Sequence, residues 1–243
     1  MATIAQDPDA VLPRAVAGER SLYTFAAIVA FCAIFVGFAP TYFLKTVFGT
    51  PELSTLKHVH GIVMTAWFAL FLVQVRLVAT GNTATHRKLG IAGIAVAALV
   101  VWVGMQAGIA SARAGITPLP QIPPLAFFAM PVGEMVVFAT LVAAAIALRR
   151  RSPWHKRLML VATLAILTPA FARWPVIGAG GPPAFFAVVD LLIVAAMIYD
   201  KRKNGRLHPA FIVGLAFVVV MQVGRLAISQ TALWMAFARW MIA

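Results

Sequence analysis

The sequence predicts an all-α integral membrane protein, a bundle of seven transmembrane helices with a cytoplasmic amino terminus and the carboxyl terminus outside. Three observations predict it. Hydrophobic residues make up 62% of the 243 residues and charged residues only 11%. Apolar runs of membrane-crossing length recur along the chain without the two-residue alternation of barrel strands. Basic residues collect in alternate loops, and such loops stay on the cytoplasmic side.

Residues 1–20 are polar, include Asp7, Pro8, Asp9 and Pro13, and lack the basic, apolar, small-residue order of a cleaved signal. They read as a cytoplasmic segment ahead of one membrane domain over 21–243. A helix needs roughly 20 apolar residues to cross the hydrocarbon core. The expected spans are about 22–44, 58–80, 90–111, 125–148, 157–174, 184–200 and 209–229, with ends uncertain by roughly 2–4 residues. The fifth is the shortest, and Arg157 and Arg173 at its ends can snorkel to the interfaces. Residues 230–243 extend the seventh helix or lie along the interface, because Trp234, Phe237 and Trp240 recur at helical spacing. Between spans, TPLPQIPP is too proline-rich for a helix, and IGAGGPP can turn sharply.

The net charge is +13, and its distribution separates a membrane reading from a nucleic-acid one. Arg14 and Arg20 precede the first span, and Arg76, Arg87 and Lys88 lie around the second loop. Arg149, Arg150, Arg151, Lys156 and Arg157 surround the fourth, and Lys201, Arg202, Lys203 and Arg206 the sixth. Fourteen of the twenty basic residues thus mark one side. The charge orients the chain and offers contacts to anionic lipids; nucleic acid is not the expected partner. The single cysteine, Cys32, excludes an internal disulfide and reads as a small apolar residue within the first span.

Function is sought in the polar residues that remain inside apolar runs: His58, His60, Glu134, Arg173, Asp190 and Arg225. Glu134 lies ten residues after Pro124, about 15 Å into its helix, and Asp190 seven residues after Pro183, about 10 Å in from the same face. A carboxylate at such depth costs at least roughly 2.5–3.5 kcal/mol and needs a partner or a proton. All six residues fall in the outer half. One reading is two packing ion pairs, Asp190 with Arg173 and Glu134 with Arg225. The other is an outer-half site in which His60, Glu134 and Asp190 bind a transition metal or haem, or carry protons. His60, Met64, Trp67, Phe71 and Gln74 share one helix stripe and should face the bundle. His58 is about 200° from His60 and cannot face the same neighbour.

Each inner loop also pairs basic residues with one histidine: THRKLG holds His86, PWHKRLM holds His155, and GRLHPAF holds His208. Interfacial anchoring accounts for this weak repeat, and a convergent three-histidine site for haem, metal or an anion is the sharper alternative. Signatures of soluble enzymes are missing: there is no HExxH, Walker loop or GxSxG.

The segment HGIVMTAWFALFLVQVRLVATGNTATHRKLG resembles a block in an uncharacterised bacterial family of multi-helix membrane proteins, a domain of unknown function. In that pattern a histidine opens a helix, a glutamine lies near its inner end, and H-R-x-L-G opens the next helix; His60, Gln74, His86, Arg87, Leu89 and Gly90 match. The later block WHKRLMLVATLAILTPAFARW matches through His155, Met159 and Arg173. The resemblance covers roughly a quarter of the chain. It implies a compact helical bundle in the bacterial cytoplasmic (inner) membrane, with haem or redox association. Two other families fit less well. Di-haem b-type cytochromes need outer histidines on two helices, and here both are on one. Zinc hydrolases of the alkaline-ceramidase and adiponectin-receptor type need a final-helix HxxxH, which is absent.

The leading expectation is therefore a redox-associated membrane protein binding haem or a metal through histidines, with quinone or a larger membrane complex as partner. A proton-coupled small-molecule transporter and a non-catalytic subunit or assembly factor are the alternatives.

Overall fold

A computed structural model of the chain describes residues 11–119 and 121–243, with side chains from residue 21 onward. The expected polar segment thus lies outside the described residues as far as residue 10. So do Pro120 of the proline-rich loop and the side chains of Arg14 and Arg20.

The described residues form helices and connecting turns, without a strand. Helix α1 runs Val11–Phe38 and widens into a π-helical turn, Ala39–Phe43, around Pro40. Then come α2 Thr55–Ala79, α3 Thr83–Arg113, the single turn α4 Pro124–Phe127, and α5 Ala129–Ala147. They are followed by α6 Ser152–Ala165, the turns α7 Thr168–Phe171 and α8 Pro175–Ala179, α9 Gly181–Asn204, α10 Pro209–Ile228 and α11 Ala232–Ile242. Among the described residues six stretches are long and apolar enough to cross a membrane: Ser21–Phe43, Thr55–Ala79, Thr83–Arg113, Pro124–Ala147, Gly181–Asn204 and Pro209–Ile228. Side-chain caps set several of their starts. Ser54 accepts from the Lys57 amide, Asn82 from Thr85, and His208 from Ala210.

The remaining expected span, 157–174, is not one continuous helix. It is α6 and α7, separated at Ile166–Leu167. Pro169 has no amide to give to the Ala165 carbonyl, and the Thr168 hydroxyl donates to that oxygen instead at 3.0 Å. Helices α1, α2, α3, α5, α10 and α9 pack each against the next, and α9 returns to α1, closing a ring. Helix α6 runs inside that ring against α5, α10, α9 and α1. Its residues Leu160, Val161, Ala162 and Thr163 are fully buried, and burial continues through Leu167. A sheltered helix needs no apolar outer face toward lipid, which is why this stretch reads as the shortest span in the sequence.

Two glycines mark close approaches. A Cβ on Gly37 of α1 would lie 2.5 Å from the Ala170 carbonyl oxygen, so only glycine lets α1 touch the α7 backbone. Gly181 turns the chain into α9 with φ of 66°, a left-handed conformation that suits glycine. The expected sharp turn in IGAGGPP is therefore present, after the extra turn α8.

The carboxyl-terminal residues do not extend α10. Thr231 caps a separate α11, accepting from the Trp234 amide at 3.2 Å. Trp234 Nε1 donates to the Leu125 carbonyl at 2.8 Å, and Arg113 Nε to the Ile242 carbonyl at 2.5 Å. Trp234 and Ala238 are buried against the bundle, while Leu233 and Trp240 stay exposed.

Candidate functional site: a polar centre among α5, α9 and α10

Three helices supply the centre. Glu134 projects from α5, Asp190 from α9, and Gln222 and Arg225 from α10, three residues apart and so on one face. Arg225 Nη1 donates to Glu134 Oε2 at 2.6 Å and to the Met130 carbonyl at 3.1 Å. Its guanidinium lies over the Phe186 ring, 4.6 Å from the centroid. Gly133 makes the room: a Cβ there would stand 2.9 Å from Arg225 Cδ. Gln222 Nε2 donates to Asp190 Oδ1 at 3.0 Å, and the Arg225 charge also acts on Asp190. The Thr168 hydroxyl of α7 lies beside Glu134.

Glu134, Gln222 and Arg225 are buried and Asp190 is half-buried. Two of the atoms in this centre, Glu134 Oε1 and Arg225 Nε, are buried without a hydrogen-bond partner. Native proteins rarely leave such atoms unpaired, and each one calls for an explanation.

A second buried ion pair provides the contrast. Near the start of α6, Arg157 grips Asp200 of α9 through both carboxylate oxygens, at 3.1 and 2.7 Å. Asn204 adds a bond at 3.1 Å to Asp200, and Arg157 also donates to the Pro153 carbonyl at 2.9 Å. That forked pair is saturated and ties α6 to α9. The Glu134–Arg225 contact is single and leaves donor and acceptor capacity unused.

The expected outer-half network forms in part. Glu134 and Arg225 pair as the sequence suggested, but Arg173 does not join Asp190. Its guanidinium donates to the Pro169 carbonyl at 2.7 Å and stacks on Phe38 at 4.2 Å. Helix α1 ends where α7 begins to turn, so Phe38 meets Arg173 before Asp190 does. Helix α2 contributes nothing to the centre. His60 lies beside the Val103 backbone of α3 and within electrostatic reach of Arg173, with Nδ1 buried and unpartnered. His58 belongs to the first turn of α2, where its carbonyl accepts from Tyr42 at 3.3 Å. His60, Glu134 and Asp190 therefore do not converge. Among the described residues no three His, Cys, Asp or Glu side chains gather where one ion could be shared. The residues present do not fit the three-ligand site expected for a metal.

The three histidines expected on the cytoplasmic side divide as well. His86 and His155 face each other with ring centroids 6.4 Å apart. His208 instead accepts from the Ala210 amide at 3.1 Å and packs 5.4 Å from the Trp154 ring. On the α2 stripe Trp67 and Phe71 are buried, and the half-buried Gln74 crosses to α3.

Sequence reasoning missed Asp200, Thr168 and Phe186. Asp200 had one visible signal, an acid immediately before a Lys-Arg-Lys run, but its partner lies 43 residues away. A groove of about 490 Å³ beside Gln106 and Arg113, and one of about 340 Å³ beside Ser21 and Arg76, contain none of the centre's residues.

Compared with protein-family models, with curated proteins and with solved structures, the chain matches none.

Proposed function

We propose that this is a proton-coupled small-molecule transporter, with the centre of Glu134, Arg225, Gln222 and Asp190 as its proton-carrying site. One observation carries the reading: the Arg225 guanidinium binds the Glu134 carboxyl while its charge also acts on a second carboxyl, Asp190, held by Gln222, and the contact between the charged pair is unsaturated. In a medium of low dielectric, neutrality assigns the second carboxyl a proton. Asp190, held by a neutral amide and half-buried, is the group from which that proton can leave. The unpaired Glu134 Oε1 and Arg225 Nε are free to meet a water or a polar substrate when the proton moves.

The topology belongs to the same proposal. Seven spans, with α6 and α7 together as the fifth, place the amino terminus inside and the carboxyl terminus outside a bacterial cytoplasmic membrane. The basic residues at the ends of α2, α5 and α9 support this orientation and offer contacts to anionic lipids. The polar centre then lies in the outer half.

Infrared difference spectroscopy of the protein in bilayers tests the site. A protonated carboxylic acid should contribute a carbonyl stretch that Asp190→Asn removes, and acid pulses to proteoliposomes should drive proton movement that the same variant abolishes. A carboxyl band that persists in Asp190→Asn and disappears in Glu134→Gln would overturn the assignment. Purified protein carrying a Soret band or stoichiometric metal would favour the redox reading instead. Co-purification with a larger membrane complex, without proton movement, would favour a subunit or assembly role. Reporter fusions that place Lys201–Arg206 outside would overturn the topology.

A further inference from the structure

The inner end holds a second polar assembly, unrelated to the outer-half centre, whose hydrogen bonds fix the protons on two histidines. Gln74 reaches from α2 into the first turns of α3. Oriented so that its amide nitrogen faces acceptors and its oxygen a donor, Gln74 sets the nitrogen 2.6 Å from His86 Nδ1 and 3.1 Å from the His86 carbonyl, and its oxygen accepts from the Gly90 amide at 2.9 Å. The side-chain amide thus spans a carbonyl and an N–H four residues apart, as a peptide group would. The opposite orientation would set oxygen against the His86 carbonyl and N–H against the Gly90 N–H. With a donor aimed at it, His86 Nδ1 carries the lone pair, so the neutral ring bears its proton on Nε2.

His155 has the complementary form. Its Nδ1 lies 2.8 Å from the Ala145 carbonyl, which can only accept. Nδ1 therefore carries the proton, and Nε2 the lone pair. One ring offers a donor and the other an acceptor. Their planes are inclined by 76° and their centroids are 6.4 Å apart. A direct N–H···N bond of about 3 Å would bring facing rings to roughly 5 Å, so the observed spacing leaves room for one bridging water.

We propose that His86 and His155 form a one-proton site at the inner membrane face, in which His155 Nε2 takes the proton and Gln74 holds His86 neutral. His86 cannot take a second proton while the Gln74 N–H occupies Nδ1. The proton arrives from the inner aqueous side and leaves by the same route; no bond other than Nε2–H forms or breaks. Protonated, the pair carries an N–H on both Nε2 atoms. The neighbours add no compensating acid. His86 feels His155 and Arg87, α2 presents the neutral Gln74 side chain and the Gln74 backbone beside the ring, and α5 presents the Ala145 carbonyl to His155. Lys156 is turned away toward the Tyr23 ring of α1.

Nitrogen-15 NMR of the full-length protein, with labelled histidine and His86→Gln and His155→Gln for assignment, reads each tautomer directly. The expected result at neutral pH is an Nε2–H signal for His86 and an Nδ1–H signal for His155. On acidification only His155 should become imidazolium, while His86 keeps its tautomer. Gln74→Glu, a carboxylate that can only accept, should reverse His86 to Nδ1–H and let it titrate. If that variant does not fold, Gln74→Leu should leave His86 as a mixture of tautomers. Wild-type His86 in the Nδ1–H form, or His86 taking a proton with or before His155, would overturn the inference.

Discussion

Removing one partner of the Glu134–Arg225 pair should be far more damaging than removing both. Both side chains are buried, and their contact is 2.6 Å. With roughly 4 Å between charge centres and an effective dielectric of about 20, the attraction amounts to ~4 kcal/mol. That matches the ~3–5 kcal/mol typical of stranding a buried charge. In Glu134→Leu the Arg225 guanidinium, on which Asp190 acts without a hydrogen bond, keeps as direct contacts only the Met130 carbonyl and the Phe186 face. Neither cancels its charge, so a loss of ~3–5 kcal/mol is expected. For a chain of this size that corresponds to a fall in Tm of roughly 6–20 °C. Glu134→Leu with Arg225→Leu strands no charge and should stay within ~2 kcal/mol of the wild type. The assay is reversible unfolding in mixed micelles, with all four corners of the cycle measured so that the coupling is isolated. A Glu134→Leu variant as stable as the double variant would refute the reasoning, because the guanidinium would then have another counter-charge or access to water.

Three further outcomes follow from other parts of the bundle. Gly37→Ala should destabilise by ~1–3 kcal/mol in the same unfolding assay, because its Cβ meets the Ala170 backbone, whereas Gly224→Ala, with nothing within 4 Å, should be neutral or stabilising by up to ~1 kcal/mol. Burial, then Arg157, hold the His208 imidazole below its ordinary range, opposed by Asp200 and assisted by Arg206 and Lys156. The unfolded chain therefore binds that proton more readily, so stability is unaffected at neutral pH and falls as pH drops through roughly 6.5; His208→Asn, which keeps a side-chain cap, should flatten thermal stability against pH over that window. Trp234→Phe removes the donor to the Leu125 carbonyl, costs ~1 kcal/mol, and should speed protease cleavage before α11 while the bundle stays intact.

Six of the seven expected spans were legible as long apolar helices, because backbone groups in lipid must be satisfied within the segment and long apolar runs record that constraint directly. The helices that carry Glu134 and Asp190 were legible too, since both residues follow prolines that sit near helix starts. Partner choice was not. Arg173 and Asp190 were expected at similar depth, yet the ring order of helices brings Gln222 to Asp190 and Phe38 to Arg173. The order in which helices close a ring is a long-range property that hydropathy does not encode. The α2 stripe identified Gln74 as inward-facing, and His86 and Gly90 stood beside it in one motif. That the glutamine amide can reach both residues depends on how α2 and α3 pack, which the motif does not record. Asp200 was hidden for another reason: beside Lys201, Arg202 and Lys203 it reads as part of a solvated charge run, while its helix turns it inward to Arg157.

The sheltered position of α6 bears on how the chain enters a membrane. Insertion machinery samples one segment at a time and releases it sideways according to its own apolarity. Ser152–Ala165 begins with a proline, a histidine and two basic residues, and it is interrupted before Pro169. By itself it would partition poorly. Helix α5 packs along it and is joined to it by a four-residue link, 148–151. The two can leave the machinery as a hairpin, with α5 supplying the apolarity that α6 lacks. The surrounding helices arrive on both sides in time, α1 to α3 before and α9 and α10 after. The least lipophilic helix thus enters lipid briefly, and its final environment is protein.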